Sequence, residues 1–212
     1  MKAADWYFDF VSPFAYLQLE RLASSAPLQA DVTFRPVVLA GILDHWAQKG
    51  PAEIPSKRRF TYRFVQWLSE RDRVPLRFPP AHPFNPIRAL RLAIAVGCRL
   101  ESIQIIFRHI WRDGQSIADE ASWRHLCAKV GVVDGESAVS VPAVKEELKK
   151  NGARAIGAGV FGVPSFVIDG EIFWGVDATQ MVVDYLDDPD RFSSGALASV
   201  GDIPVGVQRT SR

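Results

Sequence analysis

The chain has 212 residues, 48% of them apolar and 23% charged, with 25 Lys and Arg against 24 Asp and Glu. That length can bury a substantial core, and the mixed composition fits a globular fold rather than a fibrous or disordered one. A net charge of +1 offers no field for polyanions. No apolar run approaches the ~20 residues of a membrane span, and the start lacks the tripartite pattern of a signal peptide. The expectation is a cytoplasmic protein with neither a nucleic-acid nor a membrane partner.

The first element is an apolar strand over residues 4–11. It runs into Ser12-Pro13, a pair suited to the N-cap and first position of a helix, and Phe14, Leu17, Leu19 and Leu22 carry an apolar face to about Ser24. Alternation over Asp31–Pro36 predicts a second strand, and a β-α-β start implies that the two strands are parallel. From about Leu39 to Lys150 strand signals are scarce. Helices are expected over Lys57–Arg71, Asn85–Gly97, Glu101–Arg112, Glu120–Val130 and Pro142–Gly157, with a stiff, proline-rich connection through Pro75, Pro79, Pro80, Pro83 and Pro86. Strands return at Ser165–Ile168 and Glu171–Trp174 around an Asp169-Gly170 hairpin signal. A last helix spans Ala178–Leu186, and the tail after Asp190 is expected to be loosely attached. Cys98 and Cys127 read as buried free thiols, and the four His residues are too scattered for a metal site.

A strand, a helix opening on X-Pro-x-x, and a distant Val163-Pro164 before a strand pair form the outline of a thioredoxin-type fold. The reading is therefore α/β: a thioredoxin-like fold with a large inserted all-helical domain. Residues 1–40 and 157–190 form the frame, 41–156 the insert and 191–212 the tail. A redox member opens its first helix with Cys-x-x-Cys, whereas this chain has Ser12 and Ala15. Disulfide exchange needs two thiols, so any sulfur at this helix start arrives with a ligand. Backbone N–H groups and the helix dipole favour a thiolate there, and the Ser12 hydroxyl can donate one hydrogen bond to it. A cis Val163–Pro164 would leave Val163's N–H and C=O free to bind a peptide in β-fashion. The Gly175-Val176-Asp177 loop can hold the two ends of an α-amino-acid group, or merely cap the last helix. The basic run Lys57-Arg58-Arg59 is either a solvated face or a carboxylate site.

The segment Tyr7-Phe8-Asp9-Phe10-Val11-Ser12-Pro13-Phe14-Ala15-Tyr16-Leu17 resembles the opening of 2-hydroxychromene-2-carboxylate isomerases, which group with kappa-class glutathione transferases and, more distantly, DsbA-type oxidoreductases. The likeness continues at Phe34-Arg35-Pro36, Pro55-Ser56-Lys57, Val74-Pro75 with Phe78-Pro79, and Phe161-Gly162-Val163-Pro164. It ends at Phe173-Trp174-Gly175-Val176-Asp177. The resemblance implies bound glutathione and a homodimer. Carried over by position, Ser12 contacts the glutathione sulfur, Val163 beside cis-Pro164 binds the cysteinyl backbone, Val176 and Asp177 hold the γ-glutamyl end, and Lys57 lies near the ligand. Where relatives often carry an Arg after the Asp, this chain has Ala178.

The function expected is glutathione-dependent cis-trans isomerisation of a 2-hydroxychromene-2-carboxylate or a related intermediate of aromatic degradation. The thiolate adds reversibly to a conjugated double bond. Phe10, Phe14 and Trp174 are candidates for an aromatic wall, Lys57 or Arg88 for the substrate carboxylate, and Asn85 for a helix cap or a substrate contact. A kappa-like transferase or peroxidase, and a thioredoxin-fold binding protein without catalysis, are the alternatives.

Overall fold

The computed structural model of the chain describes residues 1–24 and 28–207. Four strands form one mixed sheet in the order β2-β1-β3-β4: β1 (Lys2–Phe8), β2 (Ala30–Pro36), β3 (Ser165–Ile168) and β4 (Glu171–Trp174). β1 and β2 are parallel, joined by helix α1 (Pro13–Ser24), while β3 lies antiparallel to both β1 and β4. Register gathers the functional segments at one end of the sheet. Tyr7 pairs with Ser165, Phe8 with Pro36, and Ser165 with Trp174. The chain leaving β1, the turn entering β3 and the loop leaving β4 therefore share an edge.

β1 ends at Phe8, not at Val11 as the predominantly apolar run suggested. The cause is Asp9, whose carboxylate is fully buried and accepts the N–H of Val11 at 3.0 Å and of Leu39 at 2.8 Å, turning the chain out of the sheet. Between β2 and β3 the chain forms helices and turns only: α2 (Leu39–His45), α3 (Pro55–Asp72), α4 (Ile87–Ala95), α5 (Leu100–Phe107), α6 (Glu120–Lys129), α7 (Gly135–Ser140) and α8 (Pro142–Gly157). α2 and α7 are additional to the expected helices. Both are short, at 7 and 6 residues, and α2 has no side-chain cap to announce it. The last turn of α5 widens into a π turn over Arg108–Arg112.

The insert does not pack as a separate body. Phe10 lies 4.6 Å from Phe107 between ring centroids, and one hydrophobic core runs from Trp6 and Phe8 through Phe107 and Trp111 to Leu126. After β4 come α9 (Thr179–Asp187) and a tail that is anchored at its start, where Phe192 packs on Phe173 and Tyr185. The short α10 (Gly195–Ser199) is exposed, and residues 208–212 lie outside the described part of the tail. Among the described residues no helix is long and apolar enough to cross a membrane.

Candidate active site

Ser12 sits where β1 hands over to α1. Its N–H donates to the Asp9 carbonyl at 3.0 Å, and its hydroxyl oxygen accepts the Ala15 N–H at 3.3 Å, so it caps the helix. With the oxygen used as an acceptor, the hydroxyl proton remains available to donate. Ser12 is only 5% exposed, and Ala15 is fully buried. Cys98 and Cys127 are free thiols on the helical side, following α4 and within α6, and burial raises both, Cys98 to about 11. Neither is a ready thiolate. Beneath the loop, burial pushes the Asp9 carboxyl up to about 7, an effect that its two N–H donors only partly offset.

Across the same sheet end, the Val163–Pro164 peptide is cis. Val163 is buried, and neither its N–H nor its C=O has a hydrogen-bond partner among the described residues. Buried backbone groups are nearly always paired, and these two are free to bond an extended chain in β-fashion. The turn is braced on both sides: Ser165 Oγ donates to the Gly162 carbonyl at 2.8 Å, and the Gly175 N–H donates to the Pro164 carbonyl at 2.8 Å. Trp174, 54% exposed, lays its indole against Gly162, where a Cβ would stand 2.7 Å from Nε1. Phe161 packs on the same indole.

The third part is the turn Val176–Ala178 that opens α9. Val176 is buried and Asp177 exposed. α1 holds this turn as well as Ser12. Buried Gln18 accepts the Trp6 indole N–H at 2.7 Å and donates to the Gly175 carbonyl at 3.1 Å and to Thr179 Oγ1 at 3.0 Å. Arg21, ion-paired with Asp72, also donates to the Val176 carbonyl at 3.4 Å. Ala178 is itself buried in the core, so this position faces inward rather than toward a ligand.

The helical insert closes the opposite side of the Ser12 loop. Trp111, on the π turn, donates its indole N–H to the Phe10 carbonyl at 2.8 Å. His82 Nε2 lies 2.8 Å from the Val11 carbonyl, so that nitrogen carries the proton. The Tyr62 hydroxyl stands 2.7 Å from His82 Nδ1 and 2.9 Å from the His82 carbonyl. The two carbonyls preceding Ser12 are thus pinned from the insert.

Of the predicted substrate residues, Phe14 is half-buried against Phe64, with 6.2 Å between ring centroids, and Trp174 stands beside the Val163 turn. Lys57 is exposed in the first turn of α3. Phe10 is fully buried in the core and forms no accessible wall, contrary to expectation. Asn85 accepts the Ile87 N–H at 3.0 Å just ahead of α4. Arg88 is committed elsewhere: its two terminal nitrogens bind Glu120 at 3.2 Å and Glu136 at 3.0 Å, and its guanidinium lies 4.0 Å over Trp123. Asp9, Gln18, His82 and Trp111 were not anticipated. Among the described residues no group of three or more His, Cys, Asp or Glu could hold a metal ion.

A family model described as a DSBA-like thioredoxin domain matches residues 4–187, and the chain belongs to that family. Within it, the chain is 28% identical over 195 residues to a 2-hydroxychromene-2-carboxylate isomerase of Sphingobium xenophagum, covering 88% of this chain and 99% of that protein. It is 23% identical over 201 residues to glutathione S-transferase kappa 1 of Rattus norvegicus, covering 85% and 89%. A solved structure of a 2-hydroxychromene-2-carboxylate isomerase superposes with a TM-score of 0.75 at 24% identity, covering 89% of this chain and 96% of that one, a likeness of fold.

Proposed function

We propose that the protein is an isomerase that uses glutathione to convert a 2-hydroxychromene-2-carboxylate, or a related intermediate of aromatic degradation, into the trans form of the aryl-substituted unsaturated oxo acid to which its ring opens. The observation that carries this reading is the meeting, at one sheet end, of a cysteine-free helix start with a buried turn whose N–H and C=O are both free. The similarity to isomerases over nearly the whole chain supports it.

The residues present fit glutathione. Val163 would take the cysteinyl backbone, with cis-Pro164 shaping the turn, and Ser12 at the α1 start would hold the sulfur. The Val176–Asp177 turn, fixed to α1 by Gln18 and Arg21, would hold the γ-glutamyl end, with Lys57 near the ligand. When bound, glutathione supplies a thiolate that adds to the conjugated double bond and leaves again after rotation. Ser12 serves that chemistry by donating its free hydroxyl proton toward the anion, while the helix dipole lowers the thiol pKa. Because the sulfur leaves unchanged, no resolving thiol is needed, which agrees with Ala15. Asp9 holds Val11 and Leu39, and so fixes the backbone on which Ser12 rides. Residues 1–40 and 157–190 hold glutathione in this reading, and 41–156 supply the substrate side. The reading includes a cytoplasmic homodimer.

S-methylglutathione tests the site and its chemistry together. It presents the same backbone and termini but cannot form a thiolate. The expected result is a raised melting temperature with glutathione and with the S-methyl analogue, and competitive loss of isomerisation with the analogue. No thermal shift with either compound would leave a binding protein without this cofactor.

A further inference from the structure

A cleft of about 750 Å³ opens between the first half of α3 and the proline-rich segment 78–82. Its lining includes Arg58, Arg59, Tyr62, Phe78 and His82. This volume is typical of a small-molecule site. The cleft reaches the Ser12 loop through His82, which both lines it and bonds the Val11 carbonyl, one residue before Ser12. We propose that this cleft is the substrate's anion subsite, in which Arg58 and Arg59 bind the carboxylate of a planar aryl acid whose ring lies against Tyr62 and Phe78.

The charge argument rests on availability. Neither Arg58 nor Arg59 is ion-paired with any described residue. Arg88, by contrast, is neutralised by two carboxylates. Both line the cleft, and each guanidinium can present forked donors to a planar carboxylate there. The rest of the wall is flat and carbon-rich. The Tyr62 and Phe78 rings meet at 5.1 Å, Tyr62 and His82 at 5.3 Å, and Pro55, Pro79 and Pro80 offer no N–H to a polar ligand. Such a wall favours an aromatic acid over a small inorganic anion. Burial, with a smaller contribution from the Arg58 charge, holds the His82 imidazole below its ordinary range, so Arg58 lies within electrostatic reach of the group that touches the Ser12 loop. An acid bound here would sit next to the sulfur site without entering the Val163 turn.

The identity of this acid rests on the isomerase reading, whereas the existence of an anion subsite does not. The probe is 2-hydroxycinnamate, an unsaturated aryl acid without the oxo group, titrated by calorimetry with and without glutathione. The wild-type protein should bind it and should not bind its methyl ester or inorganic phosphate comparably. Arg58→Ala/Arg59→Ala should weaken binding by about ten- to a hundred-fold, the range expected for a charge-assisted contact. Its glutathione affinity and melting temperature should be unchanged, since both side chains are exposed. Arg58→Lys/Arg59→Lys should retain most of the binding. Lys149→Ala/Lys150→Ala on α8, which removes the same charge away from the cleft lining, should bind like wild type. With the chromene carboxylate, KM should rise by the factor lost in binding. Equal binding by the double alanine variant, equal binding of the ester, or no binding by wild type would overturn the subsite. If the protein binds the probe through these arginines yet turns over no chromene carboxylate, the subsite stands and the isomerase reading fails.

Discussion

Ser12 lies between two regions that contribute different things. On the frame side, the Val163 turn, the Val176–Asp177 turn and the α1 start present mainly backbone groups, which suit a peptide-like ligand whatever its side chains. On the insert side, Trp111, His82 and Tyr62 present side chains, which pin the Phe10 and Val11 carbonyls and line an aromatic, basic cleft. On the proposed function the difference is a division of labour: a frame that would hold one cofactor for many chemistries, and an insert that would set which second ligand meets it. Variants on the two sides should therefore fail differently.

The largest effect is expected at the frame. Ser12→Ala removes the donor proposed for the sulfur, worth about 1.5–3 kcal/mol for a charge-assisted bond. Turnover near neutral pH should fall roughly ten- to a hundred-fold, and the apparent pKa of the bound thiol, followed by thiolate absorbance, should rise. Loss of the Ala15 cap should also lower stability by about 0.5–2 kcal/mol. An unchanged thiol pKa would remove Ser12 from the chemistry.

Next comes the insert. Trp111→Phe leaves the buried Phe10 carbonyl without its donor. Denaturant titration should show a loss of about 1–3 kcal/mol, beyond what the smaller ring costs in packing. Turnover should drop while glutathione affinity, held by the frame, changes little. If glutathione affinity falls as far as turnover does, the two sides are not separable.

The effect read in pH rather than in turnover belongs to the residue between them. The folded protein raises the Asp9 carboxyl from 3.8 to about 7, so between those values the folded state keeps a proton that the unfolded chain has lost. This contribution is present at low pH and is lost as pH rises toward 7. The slope reaches at most about 1.4 kcal/mol per pH unit. Asp9→Asn should flatten that part of the stability profile measured by denaturation from pH 4 to 8, and an unaltered slope would show that Asp9 is ionised throughout.

The frame side was legible because its signals are local. Ser12-Pro13, Val163-Pro164 and Asp169-Gly170 each prescribe a backbone shape within a few residues, and the hairpin lies where it was expected. The insert side was not, because its meaning depends on partners distant in the chain. His82 gains a role only from Val11, and Trp111 only from Phe10. Arg88 and Arg58 look alike in sequence, yet Glu120 and Glu136 occupy Arg88, while Arg58 has no ion-pair partner among the described residues. Asp9 was hidden for a related reason: inside an apolar run it reads as part of a strand, and only the Leu39 N–H arriving from beyond β2 shows that it ends one.

Whether glutathione is a catalyst or a reagent decides the central claim, and it is measured by counting thiol. Free thiol and product should be followed together, by absorbance and mass spectrometry, with chromene carboxylate in large excess over a trace of glutathione. The account predicts many turnovers per glutathione, with no conjugate, no glutathione disulfide and no loss of thiol. Consumption of one thiol for each product formed, as in a conjugating transferase, would contradict it.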